Sequence, residues 1–200
     1  MKCVAGVVPS VPDLPVAGRL NSSVRPHMTD DSYVCSSCGK THEGLPTDWA
    51  FKLPDEVYAL SYLDKYRRTR SNADLCVLDE TRFFIRGLLS IPFTHQDGEF
   101  AWGVWAEVPK AIHDFYLDNY SDDLAQGTRA EGTLANTVPG FPEVTGQAIE
   151  IEFQNAKSRP FFAFPRSAEH ELAADQRDGV GHNRHHEFLE LCGHFDESEA

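Results

Sequence analysis

Apolar residues recur along this chain in two rhythms, and together they predict a mixed fold. Over residues 82–91 the apolar positions alternate. Phe83, Ile85, Leu89 and Ile91 share one face, with Arg82, Arg86 and Ser90 on the other. Phe100, Trp102, Val104, Ala106 and Val108 repeat the period of two, opposite Gly103, Trp105 and Glu107. Between these runs, His95-Gln96-Asp97-Gly98 carries hairpin-turn chemistry. Ile149, Ile151 and Phe153 alternate with Ala148, Glu150 and Glu152, and residues 159–164 pair back after a turn over 155–158. A short strand over 75–78 precedes the turn Asp79-Glu80-Thr81.

Helical spacing appears elsewhere. Pro54 followed by Asp55 and Glu56 marks a helix start, because proline suits the first helical position and carboxylates suit the positive end of the dipole. Val57, Leu60 and Leu63 follow at the helical period, and the helix is expected to run to Arg68. Tyr58, Tyr62 and Tyr66 form an adjacent stripe, read as packing with wet hydroxyls. Further helices are expected over 110–120, over 168–177 behind a Ser167 cap, and over 183–191. Residues 121–145 read as one long connection. Short turns favour antiparallel pairing. The expected class is therefore α+β, a mainly antiparallel sheet of about five strands flanked by helices and preceded by an N-terminal CxxC knuckle. Residues 1–31 lack periodicity and read as a disordered leader, 32–192 as a single α+β domain, and 193–200 as a disordered acidic tail. Met28 is an alternative start, in which case Cys3 and His27 carry no function.

Charge narrows the partners. With 18 Lys plus Arg against 31 Asp plus Glu, the formal net charge is −13, which repels phosphate backbones and anionic lipid. Nucleic acid and membrane are thus not expected, and the partner is left as an unknown protein or small molecule. Lys65, Arg67, Arg68 and Arg70 read as a solvated helix end rather than a nucleic-acid patch. No apolar run approaches the ~18 residues of a membrane span. The N-terminal apolar run is too short for a secretory signal. Five unevenly spaced cysteines do not form a disulfide framework, so a cytoplasmic location is expected.

Cys35-Ser-Ser-Cys38-Gly39 is the sharpest chemical signal. Two thiolates at this spacing supply half of a tetrahedral zinc site, and Gly39 permits the left-handed turn behind them. Cys76, His42 and His170, in that order, are the candidates for the missing ligands, with Cys192 behind them. Four protein ligands make such a zinc structural; an open position makes it catalytic. Arg86 and Trp105, on the polar strand face, are candidates for a binding surface, as are Asp175 and Arg177. His182, His185 and His186 precede Glu187 in an order unlike that of zinc proteases and read as surface histidines.

The run Cys35-Ser-Ser-Cys38-Gly39-Lys40-Thr41-His42-Glu43-Gly44-Leu45-Pro46 resembles the opening of a bacterial domain-of-unknown-function family, number 2199. So, in order, do Asp74-Leu75-Cys76, Phe84-Ile85-Arg86-Gly87, Trp102-Gly103-Val104-Trp105, Leu134-Ala135-Asn136, Arg159-Pro160 and His170-Glu171-Leu172-Ala173. Glu171 stands where the family's later histidine motif has a proline. The resemblance implies a compact bacterial cytosolic domain with a cysteine-bound metal, and it implies no activity. The first functional expectation is a non-enzymatic binding module stabilised by a structural zinc. The alternatives are a small metal-dependent hydrolase, using an open metal site or a cleft with His170, Asp175 and Arg177, and a CxxC thiol redox protein.

Overall fold

The computed structural model describes residues 33–34, 41–42, 44–121, 123 and 125–194, the first two pairs by backbone alone. Cys35, Cys38, the leader over 1–31 and residues 195–200 of the acidic tail lie outside the described residues. So do the side chains of His42 and Thr41.

Two long strands organise the chain: β6 (Arg82–Pro92) and β7 (Glu99–Val108). They pair antiparallel along their whole length, from Phe83 opposite Val108 to Pro92 opposite Glu99. Each changes its second neighbour halfway. The first half of β6 pairs with β5 (Leu75–Leu78), which in turn pairs with β4 (Thr69–Ser71). The second half pairs with β10 (Phe161–Ala163). Likewise β7 pairs first with β3 (Asp48–Ala50) and then with β8 (Arg129–Leu134). Strand β9 (Ala148–Glu152) joins β8 to β10. The path β6–β7–β8–β9–β10–β6 closes on itself.

The result is a closed five-stranded barrel with β3, β5 and β4 as extensions, not an open antiparallel sheet flanked by helices. The physical reason is parity. An up-and-down series with an odd number of strands brings its first and last members together in the same direction, and β10 does run parallel to β6. The strand that tips the count is β8, within the stretch expected to be a connection. Its sequence, Arg-Ala-Glu-Gly-Thr-Leu, has small or charged residues at most positions. Gly132 explains part of this: a Cβ there would meet the Glu107 carbonyl at 2.8 Å and Val108 at 3.0 Å. Similarly, a Cβ at Gly87 would meet the Phe162 ring at 2.4 Å, so glycine lets β10 close against β6.

Alternation in β6 and β7 divides the interior into two cores, as the sequence pattern anticipates on one face. Phe83, Ile85, Leu89 and Ile91 join Phe100, Trp102, Val104, Ala106 and Val108 in the barrel core. The helix α5 (His182–Leu191) lays Phe188 against this core, 5.4 Å from the Phe100 ring and 5.5 Å from Trp102. Helices α3 (Lys110–Asp118) and α4 (Glu171–Asp178) lie close to β6. On the opposite face, Phe84 and Trp105 combine with Cys76, Leu78 and Val57 in a second, smaller core. Asn136 is fully buried beside it. It accepts from the Trp105 amide at 2.8 Å and donates to the Leu53 carbonyl at 3.0 Å and the Asp55 carboxylate at 2.7 Å.

The helix expected over 54–68 is two pieces, α1 (Asp55–Tyr58) and α2 (Tyr62–Arg68). Ser61 breaks it by capping α2 through Asp64. The tyrosine stripe consequently points to solvent instead of packing. Helix α4 is capped by His170 rather than Ser167. His185 is buried rather than on the surface, because its Nε2 donates to the Pro46 carbonyl at 2.7 Å and its ring packs on Phe93.

Arg82 ties the two halves of the second core's rim. It forks onto Glu107 at 2.8 and 2.6 Å and also reaches Glu56 on α1. That bidentate bond is the main reason the Glu107 carboxyl is held below its ordinary value of 4.5. A carboxylate with a depressed folded-state value contributes stability fully above its unfolded value and loses it as pH falls through the folded one. Urea unfolding of Glu107→Gln between pH 7 and pH 3 is therefore expected to show a shallower acid loss of stability than the parent. An identical slope in both proteins would contradict this assignment.

Candidate functional site

A cleft of about 550 Å³ opens beside the barrel where three segments meet: the start of β5, the end of α3 and the approach to β10. Local structure fixes each wall. Before β5, the Asn72 carboxamide accepts from the amides of Asp74 at 2.8 Å and Leu75 at 2.7 Å, a side-chain turn that orients Asp74. Tyr116 and Tyr120 lie four residues apart and both line the cleft, the second just beyond the last turn of α3. Arg159 is placed by Pro160, whose carbonyl accepts from the Leu88 amide at 2.9 Å.

Asp74 is the centre of this site. The residue is only 7% exposed. Its carboxylate accepts from the Tyr120 hydroxyl on one oxygen and from Arg159 Nε on the other. Its backbone carbonyl accepts from the Arg86 amide at 2.8 Å. The bond donated to Asp74 raises the Tyr120 hydroxyl above its ordinary value, with burial adding to it. Burial, and then the Asp74 charge, raises Tyr116 further. Both phenols are therefore held protonated. Arg86 stands behind the cleft with its guanidinium 6.0 Å from the Trp105 ring. Burial, then repulsion from Arg159, lowers its pKa, and its buried Nε has no partner among the described residues. Glu99, held by the Ser90 hydroxyl, joins Gln154, Asn155, Lys157 and Ser158 in the polar rim.

The residues singled out from sequence are scattered by comparison. Arg86 is adjacent to this constellation. Trp105 is fully buried in the second core, where its indole donates to the Phe51 carbonyl at 3.2 Å, so it offers no ring to a binding face. Asp175 pairs with Arg184 at 2.9 Å, and burial raises its pKa. Arg177 donates to the Ala168 carbonyl at 2.9 Å. His170 spends Nδ1 on the Ala173 amide at 3.1 Å and packs its ring edge-on to Phe164. None of these three lines the cleft.

For the metal candidates, only part of the set is described. Cys76 is enclosed by apolar side chains of the second core, and burial pushes its thiol up to about 12. Burial pushes Cys192 up to about 12 as well. No group of three or more His, Cys, Asp and Glu suited to a metal occurs among the described residues. Strands β1 (Tyr33–Val34) and β2 (Thr41–His42) pair antiparallel, Tyr33 opposite His42, and Cys35 and Cys38 fall between them in sequence.

Sequence reasoning passed over Asp74, Tyr120 and Arg159 as chemistry, although Asp74 and Arg159 sit in two of the segments that carry the family resemblance. Those two segments are 85 positions apart and meet here. The family's sequence model matches residues 34–180. The chain belongs to domain-of-unknown-function family 2199. That family is described as an uncharacterized protein conserved in bacteria. No curated protein and no solved structure matches the chain. No helix among the described residues is long and apolar enough to cross a membrane.

Proposed function

We propose that this member of family 2199 is a non-enzymatic binding module, and that the cleft takes a small molecule bearing a carboxylate or phosphate. The observation that carries the reading is the state of Arg159. Asp74 engages its Nε, while its terminal nitrogens have no protein partner among the described residues and its side chain remains 38% exposed. A planar fork fixed at one edge and open at the other is suited to a second, incoming anion. Lys157, Asn155 and Gln154 supply a cation and amide groups around it. Neither His nor Cys lines the cleft, and its buried carboxylate, Asp74, is already engaged by Tyr120 and Arg159, a lining that favours recognition.

The test is a titration of the full chain with citrate and with glucose 6-phosphate, followed by amide NMR shifts. Saturable shifts at Asn119, Tyr120 and residues 154–159 are expected. Arg159→Gln and the exposed-rim variant Lys157→Ala are expected to weaken binding by about tenfold or more, and Arg166→Gln to leave it unchanged. Absence of saturable shifts with either ligand, or equal affinity in all variants, would overturn the reading.

A structural zinc on Cys35 and Cys38 belongs to the same proposal. It is supported by the CxxC spacing and by the pairing of β1 with β2 on either side of it. When bound, the ion would supply only cross-linking of this N-terminal segment. The apolar surroundings of Cys76 make it a poor fit for the set. Elemental analysis of purified protein is expected to find near-stoichiometric zinc, lost in Cys35→Ser and retained in Cys76→Ser. Zinc absent from the parent protein would remove this part of the proposal. Zinc lost in both variants would restore Cys76 as a ligand.

A further inference from the structure

Helix α2 is anomalous. It has seven residues, and none of them is buried. Isolated helices shorter than about 12–15 residues are marginal in water, and helices in proteins are held chiefly by packing an apolar face. Here that face is turned outward: Tyr62 is 83% exposed, Tyr66 77%, Leu63 59%, and Tyr58 on the preceding helix 63%. Among the described residues, the side-chain hydrogen bonds that hold this helix lie at its ends. Ser61 caps the first turn through Asp64, and Arg68 forks onto Asp79 at 2.8 and 2.6 Å. Exposed Tyr62, Leu63 and Tyr66, on a helix with no buried residue of its own and next to the exposed Tyr58 of α1, form a surface that lacks its covering partner.

Charge says what kind of partner fits. The chain as a whole carries a net −13, yet Lys65, Arg67, Arg68 and Arg70 are concentrated here. Of the local carboxylates, Asp64 is engaged by Ser61 and Asp79 by Arg68, which leaves Glu80 against Lys65, Arg67 and Arg70. Lys65 lies 5.0 Å from the Tyr58 ring, placing a cation within the aromatic stripe. Beside it, a shallow groove of about 210 Å³ is bordered by Arg67, Arg68, Arg70, Asp79 and Glu80, with the half-buried Val77 among its walls. Val77 offers this groove an apolar wall, and Arg67 and Arg70 are the cations at its edge with no carboxylate partner among the described residues. Strand β4, which carries Arg70, is the last strand on its side of the sheet. Tyrosine and arginine are the residue types that dominate binding energy at protein interfaces. A second copy of the chain would set these cations against their own equivalents. A long phosphate backbone would meet repulsion from the rest of the surface.

We infer that α2, together with Arg70 of β4, is a docking surface for an acidic peptide segment of a partner protein, one in which apolar residues alternate with glutamate or aspartate. This inference is independent of the cleft.

Fluorescence anisotropy with the full chain tests it. The probe is a fluorescein-labelled peptide of about twelve residues, alternating glutamate with leucine and phenylalanine; a uridine oligonucleotide of equal length is the comparison. Saturable peptide binding that weakens with salt is expected. The double variants Tyr62→Ser/Tyr66→Ser and Arg67→Glu/Arg70→Glu, all at exposed positions, are expected to lose about tenfold or more in affinity. Arg166→Glu, which changes net charge elsewhere, is expected to change nothing. Failure of the peptide to saturate, or equal affinity in every variant, would overturn the inference. Tighter binding of the oligonucleotide would assign the surface to single-stranded nucleic acid instead. A concentration-dependent doubling of mass abolished by the tyrosine variants would assign it to a second copy.

Discussion

A carboxylate withdrawn from water is destabilising unless its lone pairs are met, and the Asp74 side chain is the place in this fold where that condition shapes everything nearby. Removing a buried ion from solvent costs several kcal/mol even after relaxation. The cost is offset by donors from two distant segments, Tyr120 past the end of α3 and Arg159 before β10. Because each donor comes from a different element, satisfying one charge fixes the relative position of three. Pro160, next to Arg159, then hands the chain to β10, the strand that closes the barrel against β6. The site and the closure of the fold are thus built from the same contact.

The second constraint is the double use of β6 and β7. One face of each fills the barrel. The other supplies Phe84 and Trp105 to a smaller core in which Cys76, Leu78 and Val57 also take part. That second core needs a polar group to reconcile the backbone of β7 with the segment leading into α1, and Asn136 provides it with one carboxamide. Arg86 borders both regions. Its backbone amide meets the Asp74 carbonyl and its guanidinium lies by Trp105, so the cleft and the second core share a boundary.

Much of this was legible in the sequence, for a physical reason. Strands β6 and β7 are buried on a defined face, so their period of two is strong and their facing residues were assigned correctly. Strand β8 was not legible, because its inward positions before Leu134 are the small Ala130 and Gly132, the latter crowded by Glu107 and Val108, while Arg129, Glu131 and Thr133 are exposed. Missing β8 meant missing the strand that links β7 to β9, and hence the closed ring. The outward stripe of α2 was misread because periodicity reports which residues share a face, not whether anything covers it. Arg86 was found because it interrupts an apolar strand. Asp74, Tyr120 and Arg159 were not, because no local pattern connects positions 46 and 85 residues apart. Trp105 was placed on the polar face correctly, but that face turned out to have a core of its own.

The dependence of cleft and barrel on one buried charge is most directly tested by a double-mutant cycle on Asp74→Asn and Arg159→Gln, with stability measured by urea unfolding. Residues joined through such a bond are expected to show a coupling energy within about 0.5–3 kcal/mol, so that the double variant is clearly more stable than the sum of the single losses predicts. Losses that simply add, with either single variant as stable as the parent, would contradict the account.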